Sequence, residues 1–169
     1  MSATEPDGWT AAQLAQAAEH RQLELHYQPI VDLRRGRIAS AEALLRWRHP
    51  SLGLLPPGAF LPLAESSGLM PKIGAWVLGE ACRQGQAWRE AGLPELTIAV
   101  NVSLHQFLLT DIVGETAQVL ETSGFPAHLL ELEITESALA EKPEEALAVL
   151  SRLRDLDLRL AIDDFGTGY

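Results

Sequence analysis

Six polar side chains at the ends of short apolar runs carry most of the chemistry legible in this chain. Glu42 sits in Ala41-Glu42-Ala43-Leu44-Leu45-Arg46, Asn101 and Ser103 close another run, Glu133 precedes Ile134-Thr135-Glu136, and the adjacent pair Asp163-Asp164 follows Ile162. All four kinds of site offer hard oxygen atoms. Carboxylates brought together repel one another and are costly to bury unpaired, and a divalent cation removes that cost. Carboxylate and amide oxygens are the donors that Mg²⁺ and Mn²⁺ prefer, and one carboxylate can bridge two ions, for which the Asp163-Asp164 pair is suited. Each residue alone has a plainer reading: a strand-end acid commonly caps a helix or faces water, and an asparagine commonly forms a turn. Only convergence gives the set a meaning, so the elements that position it matter most.

Residues 1–8 are polar, contain Pro6 and Gly8, and read as a loose end. Residues 9–22 read as a leading helix with Leu14, Ala15 and Ala18 on one face and Thr10 as its cap. Leu23 to Leu33 and Arg37 to Trp47 then form two strands of an antiparallel hairpin, with Gly36 supplying the positive φ its turn needs. A turn centred near Arg35 sets Gln28 opposite Glu42. A loop rich in Pro and Gly from His49 to Pro57 leads into helices predicted over 58–66 and 71–91, the second with Ile73, Trp76, Val77 and Trp88 as its buried stripe. Strands over 96–102, 129–135 and 158–163 then alternate with helices over 111–122 and 143–153. Such alternation makes parallel βα units, so the fold class expected is α/β with about five strands.

In a (β/α)₈ barrel the chemistry sits at the C-terminal ends of the strands, where the βα loops cluster. Side-chain alternation turns Leu96, Ile98 and Val100 toward helices and Thr97, Ala99 and Asn101 inward. By the same rule Leu130 and Leu132 leave Glu131 and Glu133 inward, while Leu158, Leu160 and Ile162 leave Arg159 and Asp163 inward. Asn101, Glu133 and Asp163 therefore converge at one end of neighbouring strands, and Asp164 reaches the same mouth because the chain turns there. Glu131 and Arg159, one layer lower, are expected to pair. Arg46 shares the face of Glu42 nearer the mouth, placed either for a phosphate or for a surface ion pair.

Composition narrows the classes. Apolar residues make up 47% and charged residues 21%, which excludes disordered and collagen-like chains. With 23 acidic against 13 basic residues the formal charge is −10, the wrong sign for DNA or an anionic membrane surface. A phosphate substrate would need cations in the site. Cys82 is the single cysteine and reads as a small core residue. No apolar run is long enough for a membrane span and no signal peptide is evident, so a cytoplasmic setting is expected.

Several blocks, taken together, resemble the EAL family of cyclic-di-GMP phosphodiesterases. They are Tyr27-Gln28-Pro29-Ile30, Glu42-Ala43-Leu44, Arg46-Trp47, His49-Pro50, residues 57–69, Asn101-Val102-Ser103, Leu132-Glu133-Ile134-Thr135-Glu136 and the run from Asp163 to Tyr169, in the family's order over residues 23–169. The resemblance implies a TIM-like barrel whose first strand runs antiparallel, in agreement with the hairpin. It implies a two-metal Mg²⁺ or Mn²⁺ site in which Glu42, Asn101, Glu133 and Asp163 hold one ion, Asp163 bridges to the second, and Asp164 stands beside it. Gln28 and Arg46 would hold cyclic-di-GMP, Leu45 would lie against a guanine, and Glu136 would anchor the loop after Asp164 without touching metal. The reaction implied is metal-assisted hydrolysis of one phosphodiester bond, giving linear pGpG.

The family pattern continues past Gly168-Tyr169 with a strand carrying a lysine that acts on the attacking water, and with further glutamates. These 169 residues hold none of them: Lys72 and Lys142 are the only lysines, and neither falls at an inward strand end. Ser66 stands where many relatives carry an acid. Residues 23–169 are thus expected to form the N-terminal part of an EAL domain, an incomplete barrel, truncated after its fifth strand, with no complete catalytic set and no turnover by itself. Its open edge is expected to favour self-association or a partner. The alternative is a non-catalytic module that binds cyclic-di-GMP or docks on another protein.

Overall fold

The computed structural model describes residues 9–135 and 142–163, and the predictions made for residues 1–8, Glu136 and Asp164 lie outside the described residues. The first helix, α1 (Ala11–Ala17), opens on a complete capping box: the Gln13 amide donates to Thr10 Oγ1 at 3.3 Å, and the Thr10 amide donates to Gln13 Oε1 at 2.8 Å. The hairpin follows as β1 (Leu23–Asp32) and β2 (Arg37–His49). Its turn is closed by the Asp32 carboxylate, which accepts from the amides of Arg34 at 2.9 Å and Arg35 at 3.2 Å, and Gly36 takes φ 60°. Gln28 stands opposite Glu42, as the turn position required, and a bulge between Ile30 and Val31 absorbs the irregularity near the turn.

Beyond β2 a three-residue strand, β3 (Gly53–Leu55), folds back and pairs Gly53 with His49. Helices α2 (Pro57–Ser66) and α3 (Met70–Glu90) come next, then β4 (Thr97–Val102), a short α4 (Leu104–Leu109) and α5 (Ile112–Ser123). A 3₁₀ turn leads into β5 (Leu130–Thr135), and α6 (Pro143–Arg154) precedes β6 (Arg159–Asp163). Neither β3 nor α4 was expected, because elements this short show no period in sequence.

One sheet takes the order β1-β2-β4-β5-β6, with β3 attached to β2. The β1/β2 pair is antiparallel, and the β2/β4, β4/β5 and β5/β6 pairs are parallel. This is the expected α/β arrangement with its antiparallel start. The helix-facing side is a continuous apolar layer: Ile98, Val100 and Val102 of β4 and Leu130, Leu132 and Ile134 of β5 are all buried, against Ile73, Val77, Leu78 and Ala81 of α3. Helix α3 comes close to the sheet at Gly85, where a Cβ would stand 2.6 Å from the Phe125 ring and 3.1 Å from Ile98. Cys82 is fully buried in the same layer, and burial pushes its thiol up to about 12, so it is a core residue.

Two expectations fail at the β6 edge. Ile162 has the right parity for the helix layer but is 53% exposed. Glu131 and Arg159 are register neighbours, yet no ion pair joins them among the described residues, and Arg159 is exposed, where a pair would add little. No described helix is long and apolar enough to cross a membrane.

Candidate metal and substrate site

The face opposite the apolar layer carries the acids. On β2 the helix-facing residues Ala41, Ala43, Leu45 and Trp47 are buried, which leaves Glu42, Leu44 and Arg46 on the inner face. Register places Asn101 beside Glu133, and Asp163 beside Thr135, two residues further up β5. Asn101 Nδ2 donates to Glu42 Oε1 at 2.9 Å, which ties β2 to β4 at this point. Glu133 is half-buried, and its carboxyl is raised to about 7, first by burial and then by the nearby carboxylates of Glu42, Asp163 and Glu131. The neighbours are thus close enough to make ionisation of Glu133 unfavourable. Asp163 itself is exposed at the end of β6.

Counting only His, Cys, Asp and Glu, no three described side chains close into a cage that could hold a metal ion. The grouping the structure does show is a carboxylate, an amide and a carboxylate on three adjacent strands, with Asp163 as a fourth member at a distance set by its own strand. By donor type the set fits a hard divalent cation, since every side chain offers oxygen and a cation would offset the repulsion that raises Glu133.

The predicted substrate residues divide. Gln28 lies across from Glu42 and is exposed. Arg46 is half-buried, donates from Nη1 to the Leu45 carbonyl at 2.8 Å, and makes no ion pair among the described residues. Leu45 is 8% exposed and points to the helix side, while Leu44 shares the face of Glu42. A cavity of about 300 Å³ opens between the ends of β2 and β4 and helices α2 and α3, with Leu44, Leu45, Leu61, Met70, Asn101 and Gln106 among its lining residues. Both leucines reach it, from opposite sides of the strand.

A family model described as EAL domain matches residues 11–169. The chain belongs to the EAL domain family. MucR of Pseudomonas aeruginosa, described as a bifunctional diguanylate cyclase/cyclic di-GMP phosphodiesterase, is 48% identical over 157 residues, covering 92% of this chain and 23% of that protein. NbdA of the same organism, a cyclic di-GMP phosphodiesterase, is 45% identical over 157 residues, covering 93% of this chain and 20% of its own length. The chain thus spans about a fifth to a quarter of the length of these curated relatives. Among solved structures, the PaMucR phosphodiesterase in complex with c-di-GMP superposes with a TM-score of 0.89 at 46% identity, over 94% of this chain and 64% of that one. The Xanthomonas citri FimX EAL domain in complex with c-diGMP gives a TM-score of 0.82 at 26% identity, over 93% of this chain and 60% of that one.

For an EAL chain the sheet order, the antiparallel first strand and the inward acids are one arrangement, with the helix layer on one side and the polar mouth on the other. Two residues at this mouth escaped the sequence reading. Glu65 lines the cavity from α2, and Gln106, 2% exposed, lines it from α4. Gln106 carried a misleading signal, because Ser103-x-x-Gln106 reads as a capping box.

Proposed function

We propose that the chain is part of a cyclic-di-GMP phosphodiesterase, in which Glu42, Asn101, Glu133, Asp163 and Asp164 hold Mg²⁺ or Mn²⁺ and one phosphodiester bond of the dinucleotide is hydrolysed to give pGpG. The observation that supports this most is the meeting of Glu42, Asn101 and Glu133 on the inner face of adjacent strands, where the carboxylates raise one another's cost of ionisation. When bound, the divalent ions would supply the Lewis acid for the phosphoryl oxygens.

The chain's own residues do the rest. Arg46, with no carboxylate partner among the described residues, offers its guanidinium to a phosphate at the mouth. Gln28 stands across the hairpin from Glu42 and presents an amide to the sugar-phosphate ring. The cavity beside Asn101 has the apolar lining and the size for one base, with Leu44 from the mouth face and Leu45 from behind. A dianionic ligand approaching a chain of charge −10 is repelled until cations are in place, so affinity for the nucleotide should rise with divalent metal.

We also propose that the 169 residues by themselves do not turn over. Lys72 pairs with Glu19 at 2.7 Å and Lys142 with Glu145 at 3.1 Å, so neither described lysine stands at the acid cluster. That same observation favours the second reading, a module that binds the nucleotide without cleaving it. The test is a pGpG assay with Mn²⁺ on this chain and on a chimera carrying the remainder of the MucR phosphodiesterase domain. The chimera should form pGpG and the 169-residue chain should not. Nucleotide binding without product in the chimera would favour the second reading, and turnover by the short chain would defeat the proposed inactivity.

A further inference from the structure

Among the described residues, Gln106 is the buried polar residue on the cavity wall, and its side chain packs against Gly74 of α3. Its backbone is fixed: the Gln106 amide donates to Ser103 Oγ at 3.2 Å and so caps α4. In α1 the equivalent glutamine, Gln13, completes its capping box by accepting from the backbone of Thr10. The Gln106 side chain does not reach back to Ser103 in that way. It lies in a notch on α3 at Gly74, where a Cβ would stand 2.1 Å from Oε1 and 2.8 Å from Nε2. The residue is 2% exposed, its amide makes no hydrogen bond to the described residues, and neither amide atom is sealed away from the cavity. Its two donors and one acceptor can therefore meet a ligand group, and covering them with a group that offers no hydrogen bond would be costly. The open direction is the cavity that Gln106 lines together with Leu44, Leu45 and Asn101.

We infer that Gln106 is a base-reading residue: its amide, held in the Gly74 notch, hydrogen-bonds the edge of the nucleobase that enters the cavity. A primary amide presents a donor and an acceptor side by side. A purine edge with an adjacent acceptor and donor, such as O6 and N1–H of guanine, is its complement. The apolar walls remove water from that pair, which makes an unmatched edge expensive and a matched one selective. Gly74 has a role in this, because any side chain there would displace the amide. The inference rests on the cyclic-di-GMP reading above and adds to it the means by which one base is held.

The experiment uses the 169-residue chain with Mg²⁺ and follows cyclic-di-GMP binding by calorimetry. Gln106→Met keeps the bulk over Gly74 and removes the amide, and Gly74→Ala displaces the amide without touching Gln106. Both variants should bind the nucleotide about tenfold more weakly than the parent. Their Mg²⁺ affinity should not change, and Gln106→Met should melt no lower than the parent. In ¹⁵N spectra, the side-chain amide signal that Gln106→Met removes should shift when cyclic-di-GMP is added to the parent. Parent-like binding by Gln106→Met, or an amide signal that does not move, would overturn the inference and leave the phosphodiesterase reading standing. No binding by the parent would overturn the inference, while the phosphodiesterase reading would still stand or fall on pGpG formation by the chimera.

Discussion

Glu133 shows how a residue records the site it belongs to. Its carboxyl is raised from 4.5 to about 7 by burial and by three neighbouring carboxylates. A raised carboxyl favours the folded state most at low pH, where it is protonated, and that contribution is lost as pH rises from about 4.5 through about 7. Without divalent ions the chain should therefore lose thermal stability across that window. Glu133→Gln should flatten the profile and melt a few degrees higher than the parent at pH 8, as read by thermal denaturation with a chelator present. Adding Mn²⁺ at about 100 times its Kd should restore about 2.7 kcal/mol to the parent and little to the variant. If Arg46 holds a phosphate as proposed, Arg46→Ala should lower cyclic-di-GMP affinity about tenfold or more while Mn²⁺ binding stays unchanged, because a guanidinium is no metal ligand. At this scale strand alternation made Asn101, Glu133 and Asp163 legible in the sequence, since a period of two needs no knowledge of the neighbours. Alternation also put Leu44 beside Glu42 and turned Leu45 away, which a motif read as a block does not show. Gln106 was hidden because its local pattern has an ordinary explanation and the residue it packs against, Gly74, is distant in the chain.

Elements bring those residues together through a few tight features. The hairpin register follows from the turn, and the turn needs the positive φ of Gly36. Gly36→Ala should cost about 1 kcal/mol in urea denaturation, with the acid cluster shifted little because the bulge at Ile30 and Val31 isolates the tip. Gly85 is more demanding. A methyl group there would meet the Phe125 ring and Ile98, so Gly85→Ala should push α3 off β4 and cost about 1–3 kcal/mol. Because α3 also forms one wall of the cavity, the same variant should weaken nucleotide binding, whereas Gly36→Ala should not. The long helices and the parallel strands were readable from apolar periodicity, and their observed ends differ from the expected ones by a residue or two. The exception is α1, which stops at Ala17, after which Arg21 takes φ 55° and the chain turns toward β1. The close approach at Gly85 could not be read, since it depends on Phe125 arriving from a loop after α5.

Across the whole molecule two properties dominate: a surplus of acid and a sheet with apolar residues at its β6 side. Leu147 on α6 is 67% exposed and Ile162 on β6 is 53% exposed, near a shallow groove lined by Leu150 and Leu160. We propose that the isolated chain associates through this side, and that Leu147→Lys with Ile162→Lys lowers the sedimenting mass toward that of a monomer. Three of the acids, Glu42, Glu133 and Asp163, stand with Asn101 on the inner face of the sheet. Mn²⁺ binding to the chain at pH 8, followed by electron paramagnetic resonance, tests that grouping most directly. Glu42→Gln and Asp163→Asn should each weaken binding about tenfold or more while leaving the melting temperature of the metal-free chain near that of the parent. Mn²⁺ binding equal in parent and variants, or absent from the parent, would contradict a shared cation site at the strand ends.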